Sequence, residues 1–196
     1  MTSTPTPEEP HVNGAHRAES LPHADAVDAP SVEVDVVVPT SRDMADLGHY
    51  LASAVRAGDL LVLTGDLGAG KTTLTRGLGA GLGVRGEVTS PTFVIARVHP
   101  AGTGTTPLVH VDAYRLGSLA EVDDLDLDAS LEESVTVVEW GEGLVEDLAA
   151  ARLEIRITRP VGGAGPDRVV DGDEPRTVHL RGFGQRWAGL DLPGAR

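Results

Sequence analysis

The spacing of apolar and polar residues changes along the chain, and each change predicts an element of secondary structure. Residues 31–38 alternate and then become wholly apolar, as a first strand would. Thr40 and Asp43 then match a capping box, which predicts that a helix begins there. The apolar residues of this helix follow at helical spacing: Met44, Leu47, Leu51 and Val55. The apolar run at 60–64 predicts a second strand, and leucines four residues apart within 74–82 predict a second helix.

The second half of the chain continues this alternation of strands and helices. Further strands are predicted at 93–98, 107–112, 134–139, 153–158 and 177–183. Ser118 and Glu121 offer another capping box, 143–150 predicts a short helix, and the Gly/Pro/Asp-rich stretch 160–176 predicts a long loop. Strands that alternate with helices predict an α/β fold. We expect a mostly parallel central sheet with helices on both faces and a C-terminal antiparallel strand pair.

Length and composition restrict the classes of function. A chain of 196 residues favours one domain, which we assign to 32–190, behind a disordered acidic, proline-rich tail at 1–31. The net charge of -14 argues against autonomous binding to nucleic acid, because phosphates need clustered lysine and arginine. The absence of cysteine excludes disulfides, thiolate metal sites and cysteine nucleophiles. No apolar run reaches the roughly 18 residues of a membrane span, and no export signal is visible, so we expect a cytoplasmic protein.

Residues 65–72 match G-x-x-x-x-G-K-[ST] at every fixed position, between an apolar strand and a predicted helix. Glycines allow backbone N–H groups to point at phosphate oxygens, and the start of the helix adds a partial positive charge. Lys71 would reach the β- and γ-phosphates, and the Thr72 hydroxyl would complete a magnesium shell. Lys71 is also the only lysine of the chain. The motif therefore predicts a nucleoside triphosphate site in a P-loop NTPase-like three-layer fold.

Two carboxylates stand at the carboxyl ends of predicted strands, where open α/β sheets bind ligands. Asp112 ends the strand at 107–112, and Glu139 ends the strand at 134–139. One of them could hold magnesium while the other orients an attacking water. Sequence spacing alone leaves the division of these roles open.

Two other kinds of site are excluded. Guanine recognition by an Asn-Lys-x-Asp element needs a second lysine, which the chain lacks. The acidic residues Asp124, Asp126 and Asp128 suggest a calcium loop, but Ala129 and Val135 stand where such a loop needs glycine and glutamate. We interpret the acidic run as a solvated surface. The glycines of the second helix (Gly77, Gly79, Gly81 and Gly83) do not form a dinucleotide-binding fingerprint, and they either allow close packing or mark the end of the helix.

Four blocks in order resemble one family. GDLGAGKTT (65–73), TSPTF (89–93), HVDAYRL (110–116) and VVEW (137–140) are similar to the bacterial TsaE family, also called YjeE. The resemblance spans roughly residues 36 to 160. It implies a small ATPase needed to make N6-threonylcarbamoyladenosine at position 37 of tRNA. It also implies that ATP hydrolysis supports turnover of the TsaD–TsaB transferase pair, and that tRNA is reached through these partners.

The resemblance also assigns residues. It implies ATP contacts from Ser41, Gly68, Ala69, Gly70, Lys71, Thr72, Thr73 and Trp140. It implies a switch-like segment near the γ-phosphate formed by Ser90, Pro91, Thr92 and Phe93. Magnesium is the expected cofactor. The resemblance implies that Thr72 and Glu139 are its ligands and that Asp112 is important for hydrolysis. Lys71, Asp112 and Glu139 are thus the expected catalytic residues.

Some alternatives stay open at this point. Phe93 and Tyr114 could be core aromatics, Arg115 could pair with an acid at the surface, and His110 receives no role. The site could belong to a small-molecule kinase, which would need an acceptor pocket and an arginine-bearing lid. The nearest candidate for such a lid is the 160–176 loop with Arg159 and Arg168. The site could also belong to a nucleotide-sensing module that does not hydrolyse ATP, although the presence of two strand-end carboxylates argues against that.

Overall fold

The computed structural model describes residues 29–91, 93–116, 130–159 and 174–189. The tail up to residue 28, Thr92, the capping box at Ser118 and Glu121, and the acidic run lie outside the described residues. Most of the predicted 160–176 loop lies outside them as well.

The described elements follow the predicted order. The strands are β1 (Val32–Val38), β2 (Leu60–Thr64), β3 (Ala96–His99), β4 (Leu108–Asp112), β5 (Val135–Glu139), β6 (Arg152–Thr158) and β7 (Arg176–Phe183). The α-helices are α1 (Ser41–Leu51) and α2 (Lys71–Leu82), with short 3-10 helices at Ala113–Arg115 and Glu146–Leu148. The capping box of α1 is confirmed, since the Thr40 side chain accepts from the Asp43 amide while the Asp43 carboxylate accepts from the Thr40 amide. No helix in the described ranges is long and apolar enough to cross a membrane.

Two predicted elements differ from the structure. The strand expected at 93–98 begins only at Ala96, because the carbonyl of Pro91 accepts hydrogen bonds from the amides of Val94 and Ile95 and holds a turn there. The helix expected at 143–150 is reduced to the 3-10 turn Glu146–Leu148. Gly143 has a φ of 78°, a left-handed conformation that an α-helix cannot include.

The described strands form one sheet in the order β1-β7-β6-β2-β5-β4-β3. The four neighbouring strands β6, β2, β5 and β4 are parallel, whereas β1, β7 and β3 join the sheet through antiparallel pairs. The expected C-terminal antiparallel pair, β6 with β7, is confirmed. The expectation of a mostly parallel sheet is wrong, and the sheet is mixed. Strands that follow each other closely, such as β3 and β4, pair antiparallel because a parallel pair needs a long crossover.

Helices α1 and α2 lie on the same face of the sheet. They share one buried cluster with alternate residues of the strands, including Leu61, Leu63, Val137 and Ile155. The opposite face of the central strands is covered by Leu131, Val145 and the residues around the Glu146–Leu148 turn. Residues 130–131 are α-helical, and Leu131 packs on this opposite face. The residues that precede them lie outside the described part of the chain, so the expectation of helices on both faces stays a prediction.

The glycines of α2 serve both predicted purposes. A Cβ on Gly77 would overlap the carbonyl oxygen of Ala45 in α1, so this glycine allows the helices to touch. Gly83 caps the C-terminus of α2 with a φ of 66°. The close contact therefore holds α2 directly against α1.

Candidate functional site

The loop between β2 and α2 depends on its glycines. Gly65, Gly68 and Gly70 have φ values of 140°, 75° and 118°, a region that favours glycine. A Cβ on Gly65 would overlap the carbonyl oxygen of Ile157 in the neighbouring strand β6. β2 is buried up to Leu63, so the chain leaves the core at this loop and enters α2 at once. The first turn of α2 thus directs its N–H groups toward the space above the loop.

Lys71, the first residue of α2, is folded back onto this loop. Its Nζ donates hydrogen bonds to the carbonyl oxygens of Gly65 at 2.7 Å and Asp66 at 3.1 Å. Nζ also lies 3.8 Å from the centroid of the Trp140 ring. Burial lowers the pKa of Lys71 below its usual 10.5, and the nearby carboxylates, Glu139 foremost, oppose this shift. The ammonium is therefore held in a position from which it can reach an anion above the loop.

Trp140 has a conformation that is unusual for its residue type. It follows β5 directly and has a φ of 62°, a strained value for a residue with a side chain. Its backbone N–H donates to the carbonyl of Leu63 at 2.9 Å, which holds the residue against the end of β2. The indole packs against Tyr114 with ring centroids 5.3 Å apart. The strained backbone thus holds the indole against Lys71.

Thr72 and Glu139 are in direct contact. The Thr72 hydroxyl donates to both carboxylate oxygens of Glu139, at 2.9 Å from Oε1 and 3.3 Å from Oε2. Glu139 ends β5, which pairs with β2, and Thr72 stands in the first turn of α2. Oε1 of Glu139 also lies 2.9 Å from Nε2 of His110 in β4. A hydroxyl and a carboxylate are the hard oxygen ligands that Mg²⁺ prefers.

Asp112 stands beside Glu139 in the register of β4 and β5. Its Oδ2 accepts a hydrogen bond of 3.3 Å from the Ser90 hydroxyl, and its Oδ1 accepts one of 3.2 Å from the Tyr114 amide. Asp112 is only 6% exposed, and both contacts help to orient its carboxylate. Parallel strands thus bring both predicted acids to one edge of the sheet.

These groups surround one cavity of about 360 Å³. It is lined by Leu67, Gly68, Gly70, Lys71, Thr72, Thr73, Ser90, Asp112, Glu139 and Trp140. Leu67, which is 88% exposed, could not be predicted from the sequence as part of the site, because a leucine in a loop carries no chemical signal. In the described part of the chain no group of three or more His, Asp or Glu residues could hold a metal ion by itself. A magnesium ion at Thr72 and Glu139 would need further oxygens, as it has when it binds with phosphates and waters.

A second, smaller cavity of about 190 Å³ adjoins the first. It shares Gly68, Gly70 and Thr73 with it and adds Ser41, Met44, Arg159 and Arg176. Arg159 donates to the carbonyl oxygen of Gly68, directly beside the loop. From the sequence, Arg159 was expected only as part of a kinase lid, and Arg176 had no expected role. The parallel pairing of β6 with β2, which places the end of β6 at the loop, was the missing information.

The remaining predicted residues lie elsewhere. Ala69 is fully buried in the core and contributes no lining surface. Pro91 is buried, whereas Phe93 is 88% and Tyr114 is 67% exposed, so the alternative of core aromatics is wrong for both. The Arg115 guanidinium lies 5.5 Å from the centroid of the Phe93 ring. The ATP contact expected of Ala69 and the switch-like role expected of Pro91 and Phe93 stay predictions.

Comparisons with known proteins identify relatives of this chain. The family model described as "Threonylcarbamoyl adenosine biosynthesis protein TsaE" matches residues 38–163. A Streptomyces coelicolor protein named tRNA threonylcarbamoyladenosine biosynthesis protein TsaE is 62% identical over 150 residues, covering 76% of this chain and 97% of its own length. A Bacillus subtilis protein of the same name is 39% identical over 142 residues, covering 72% of this chain and 80% of its own.

A solved structure is similar over most of the chain. The crystal structure of YdiB from Bacillus subtilis superposes with a TM-score of 0.60 at 30% sequence identity. The match covers 80% of this chain and 89% of that one. The glycine-rich loop, both strand-end acids and Trp140 all lie inside the segment that the family model matches. The chain therefore belongs to the TsaE family, whose members are named for tRNA threonylcarbamoyladenosine biosynthesis.

Proposed function

We propose that this protein is a P-loop ATPase that hydrolyses ATP with Mg²⁺ to support turnover of the TsaD–TsaB transferase pair, which modifies adenosine 37 of tRNA. The observation that carries the proposal is the convergence of Lys71, Thr72, Asp112 and Glu139 on one cavity beside a glycine-rich loop. Their residue types match the needs of phosphoryl transfer, which depends on positioning and on stabilisation of negative charge.

The loop and Lys71 would hold the phosphates. Backbone N–H groups of the first turn of α2 are free of helical partners and are suited to anions. Lys71 would exchange its hydrogen bonds to the Gly65 and Asp66 carbonyls for contacts with phosphate oxygens. The exchange costs little, because the ammonium keeps one set of acceptors or the other throughout.

Thr72 and Glu139 would hold the magnesium ion, which when bound neutralises charge on the phosphates. Asp112 is then the remaining carboxylate at the cavity, and it would accept a hydrogen bond from the attacking water. The water oxygen forms a bond to the γ-phosphorus, the bond to the ADP oxygen breaks, and the water proton leaves toward Asp112 or the phosphate. The products are ADP and inorganic phosphate.

The nucleoside part of ATP would occupy the smaller cavity. This cavity adjoins the phosphate loop through Gly68 and Gly70, so one ligand can extend across both. Arg159 and Arg176 present planar guanidinium groups there, and such groups stack on aromatic rings. Ser41 would supply a hydroxyl at the same place.

Exposed apolar side chains around the site support a role with protein partners. Leu67, Phe93 and Tyr114 are each more than half exposed. Ser90, three residues before Phe93, contacts Asp112, so ATP and ADP would favour different arrangements of this segment. A chain with a net charge of -14 would reach tRNA through its partners, in the cytoplasm, where tRNA is modified.

The test is threonylcarbamoyladenosine formation in a reconstituted mixture of unmodified tRNA, threonylcarbamoyl adenylate, ATP and the TsaD–TsaB pair. The wild-type protein should sustain many rounds of modification with release of ADP, and the Lys71→Ala variant should not. Equal product with and without the wild-type protein would contradict the proposal. ATP-dependent phosphorylation of a metabolite in place of water would favour a kinase, and support of turnover without ADP release would favour a nucleotide sensor.

A further inference from the structure

His110 is fully buried in the core of the protein. It lies in the middle of β4 with no exposed surface, between Val109 and Val111 and opposite Val137 of β5. Histidine is rarely buried completely in such an apolar strand. An aliphatic side chain would fill the same space without the cost of burying polar nitrogens.

The two ring nitrogens of His110 have different surroundings. Nε2 lies 2.9 Å from Oε1 of Glu139. Because a carboxylate can only accept, Nε2 is the nitrogen that carries the proton. Nδ1 is buried and has no hydrogen-bond partner among the described residues. A buried polar group without a partner destabilises a fold, so the stability of the fold does not account for this histidine.

The hydrogen bond is also unnecessary for joining the strands. β4 and β5 are already paired along their whole length, from Leu108 with Val135 to Asp112 with Glu139. The imidazole does not line the cavity either, so it does not contact what fills the site. Its one polar contact within the described chain is the carboxylate that does line the cavity.

The Glu139 carboxylate needs a second contact to fix its orientation. The Thr72 hydroxyl lies close to both oxygens, at 2.9 Å and 3.3 Å, and therefore selects weakly between them. His110 contacts Oε1 only. The imidazole thus restrains Oε1 from inside the sheet and leaves Oε2 without this restraint.

We propose that His110 is a positioning residue, whose Nε2–H hydrogen bond orients the Glu139 carboxylate so that Glu139 and Thr72 together bind the magnesium ion of the nucleotide. This inference rests on the proposed function. Hydrogen-bond partners of metal ligands typically change metal affinity by about 10- to 100-fold when they are removed.

The experiment uses the full chain and two closely matched variants. The amide nitrogen of glutamine can take the place of Nε2, whereas the shorter asparagine reaches only as far as Nδ1. His110→Gln should therefore keep the hydrogen bond to Glu139, and His110→Asn should lose it. His110→Leu removes all polarity, and Thr136→Val, which changes another fully buried polar residue of the sheet, is the control for core perturbation.

The measurement is binding of a fluorescent ATP analogue, first in EDTA and then during titration with Mg²⁺, with thermal unfolding recorded for every variant. His110→Asn and His110→Leu should need roughly 10-fold more Mg²⁺ for half-maximal enhancement of binding, about the lower end of the usual range. Their affinity without metal should stay within about twofold of wild type. His110→Gln and Thr136→Val should titrate as wild type does.

The outcomes separate this inference from the proposed function. A wild-type Mg²⁺ midpoint in His110→Asn and His110→Leu overturns the positioning role alone. A midpoint in His110→Gln as high as in His110→Asn also overturns it, because the hydrogen bond would then not be the cause. Failure of the wild-type protein to bind the analogue with or without Mg²⁺ overturns the ATPase proposal and the inference with it.

Discussion

The hydroxyl of Thr72 lies 2.9 Å from Oε1 of Glu139, although the two residues are 67 positions apart in the chain. Thr72 stands in the first turn of α2, and Glu139 is the last residue of β5. The contact exists because β2, which leads into the loop before α2, pairs in parallel with β5. The proposed magnesium site therefore depends on β2 and β5 being neighbours in the sheet.

The two strand-end acids should respond differently to neutralisation. Glu139→Gln should raise the Mg²⁺ concentration needed for half-maximal ATP hydrolysis, because an amide is a weaker ligand for a hard cation. Asp112→Asn should lower the maximal rate by about 100-fold or more, in the range typical of general-base and charge-stabilising groups, with little change in that midpoint. Steady-state rates across a Mg²⁺ titration measure both quantities. An increased midpoint in Asp112→Asn alone would reverse the assignment of the two roles.

Replacement of Lys71 should abolish hydrolysis and leave the fold intact. Lys71→Ala should lower the rate about 100-fold or more, because a donor to the phosphates is lost. Lys71→Met keeps most of the packing against Trp140 and should be equally inactive. The lowered pKa of Lys71 shows that burial disfavours its charge, so the thermal midpoint of Lys71→Met should not fall appreciably. Circular dichroism and phosphate release test the two halves of this prediction, and near-wild-type hydrolysis in either variant would refute it.

Trp140 should report occupancy of the site through its fluorescence. The chain has two tryptophans, of which Trp140 lines the cavity and Trp187 is fully buried elsewhere. Addition of ATP should change the emission, because Lys71 would leave the indole for the phosphates. Trp140→Phe should abolish this change and preserve the emission of Trp187. An unchanged ATP response in Trp140→Phe would show that the signal arises outside this cavity.

Gly77→Ala should destabilise the protein, against the usual effect of this substitution in a helix. Alanine normally stabilises a helix by up to about 1 kcal/mol relative to glycine. Here the added Cβ would overlap the backbone carbonyl of Ala45, and overpacking of this kind costs about 1–3 kcal/mol. The control is Ala80→Gly on the exposed side of α2, where the substitution changes the helix propensity without a packing contact. Urea unfolding should give a lower free energy for Gly77→Ala, and a higher one would mean that α1 and α2 can separate at no cost.

Part of the decrease in the free energy of unfolding at acidic pH should come from His99, which binds a proton more readily in the unfolded state. Burial foremost, and then electrostatic interaction with His110 and Arg97, lowers the pKa of His99 below its usual 6.5. Between that lowered pKa and 6.5 the unfolded state binds more protons, so the free energy of unfolding decreases as the pH falls below about 6.5. His99→Leu should lose less stability than wild type between pH 7.5 and 5.5, measured by urea unfolding. Val98→Thr, at an exposed neighbouring position without a titratable group, should keep the wild-type slope, and an equal slope in His99→Leu would exclude His99 as a source.

Much of the local structure could be predicted from residues close together in the chain. The capping box at Thr40 and Asp43 is a contact across three positions, and the strand at 60–64 is continuous and apolar. Predictions were wrong where a short local contact overrode the pattern. The turn after Pro91 delays β3, and the left-handed Gly143 prevents an α-helix at 143–150.

The sequence by itself determined the glycine-rich loop, its lysine and threonine, and the two acids that end strands. Each of these features depends on a few residue types that are close together in the chain. Only the tertiary structure decided that β5 and β6 flank β2, that Glu139 meets Thr72 and His110, and that Arg159 reaches Gly68. These contacts join residues far apart in the chain. They depend on which strands pair and on which faces are buried together, a choice made by the packing of the whole core.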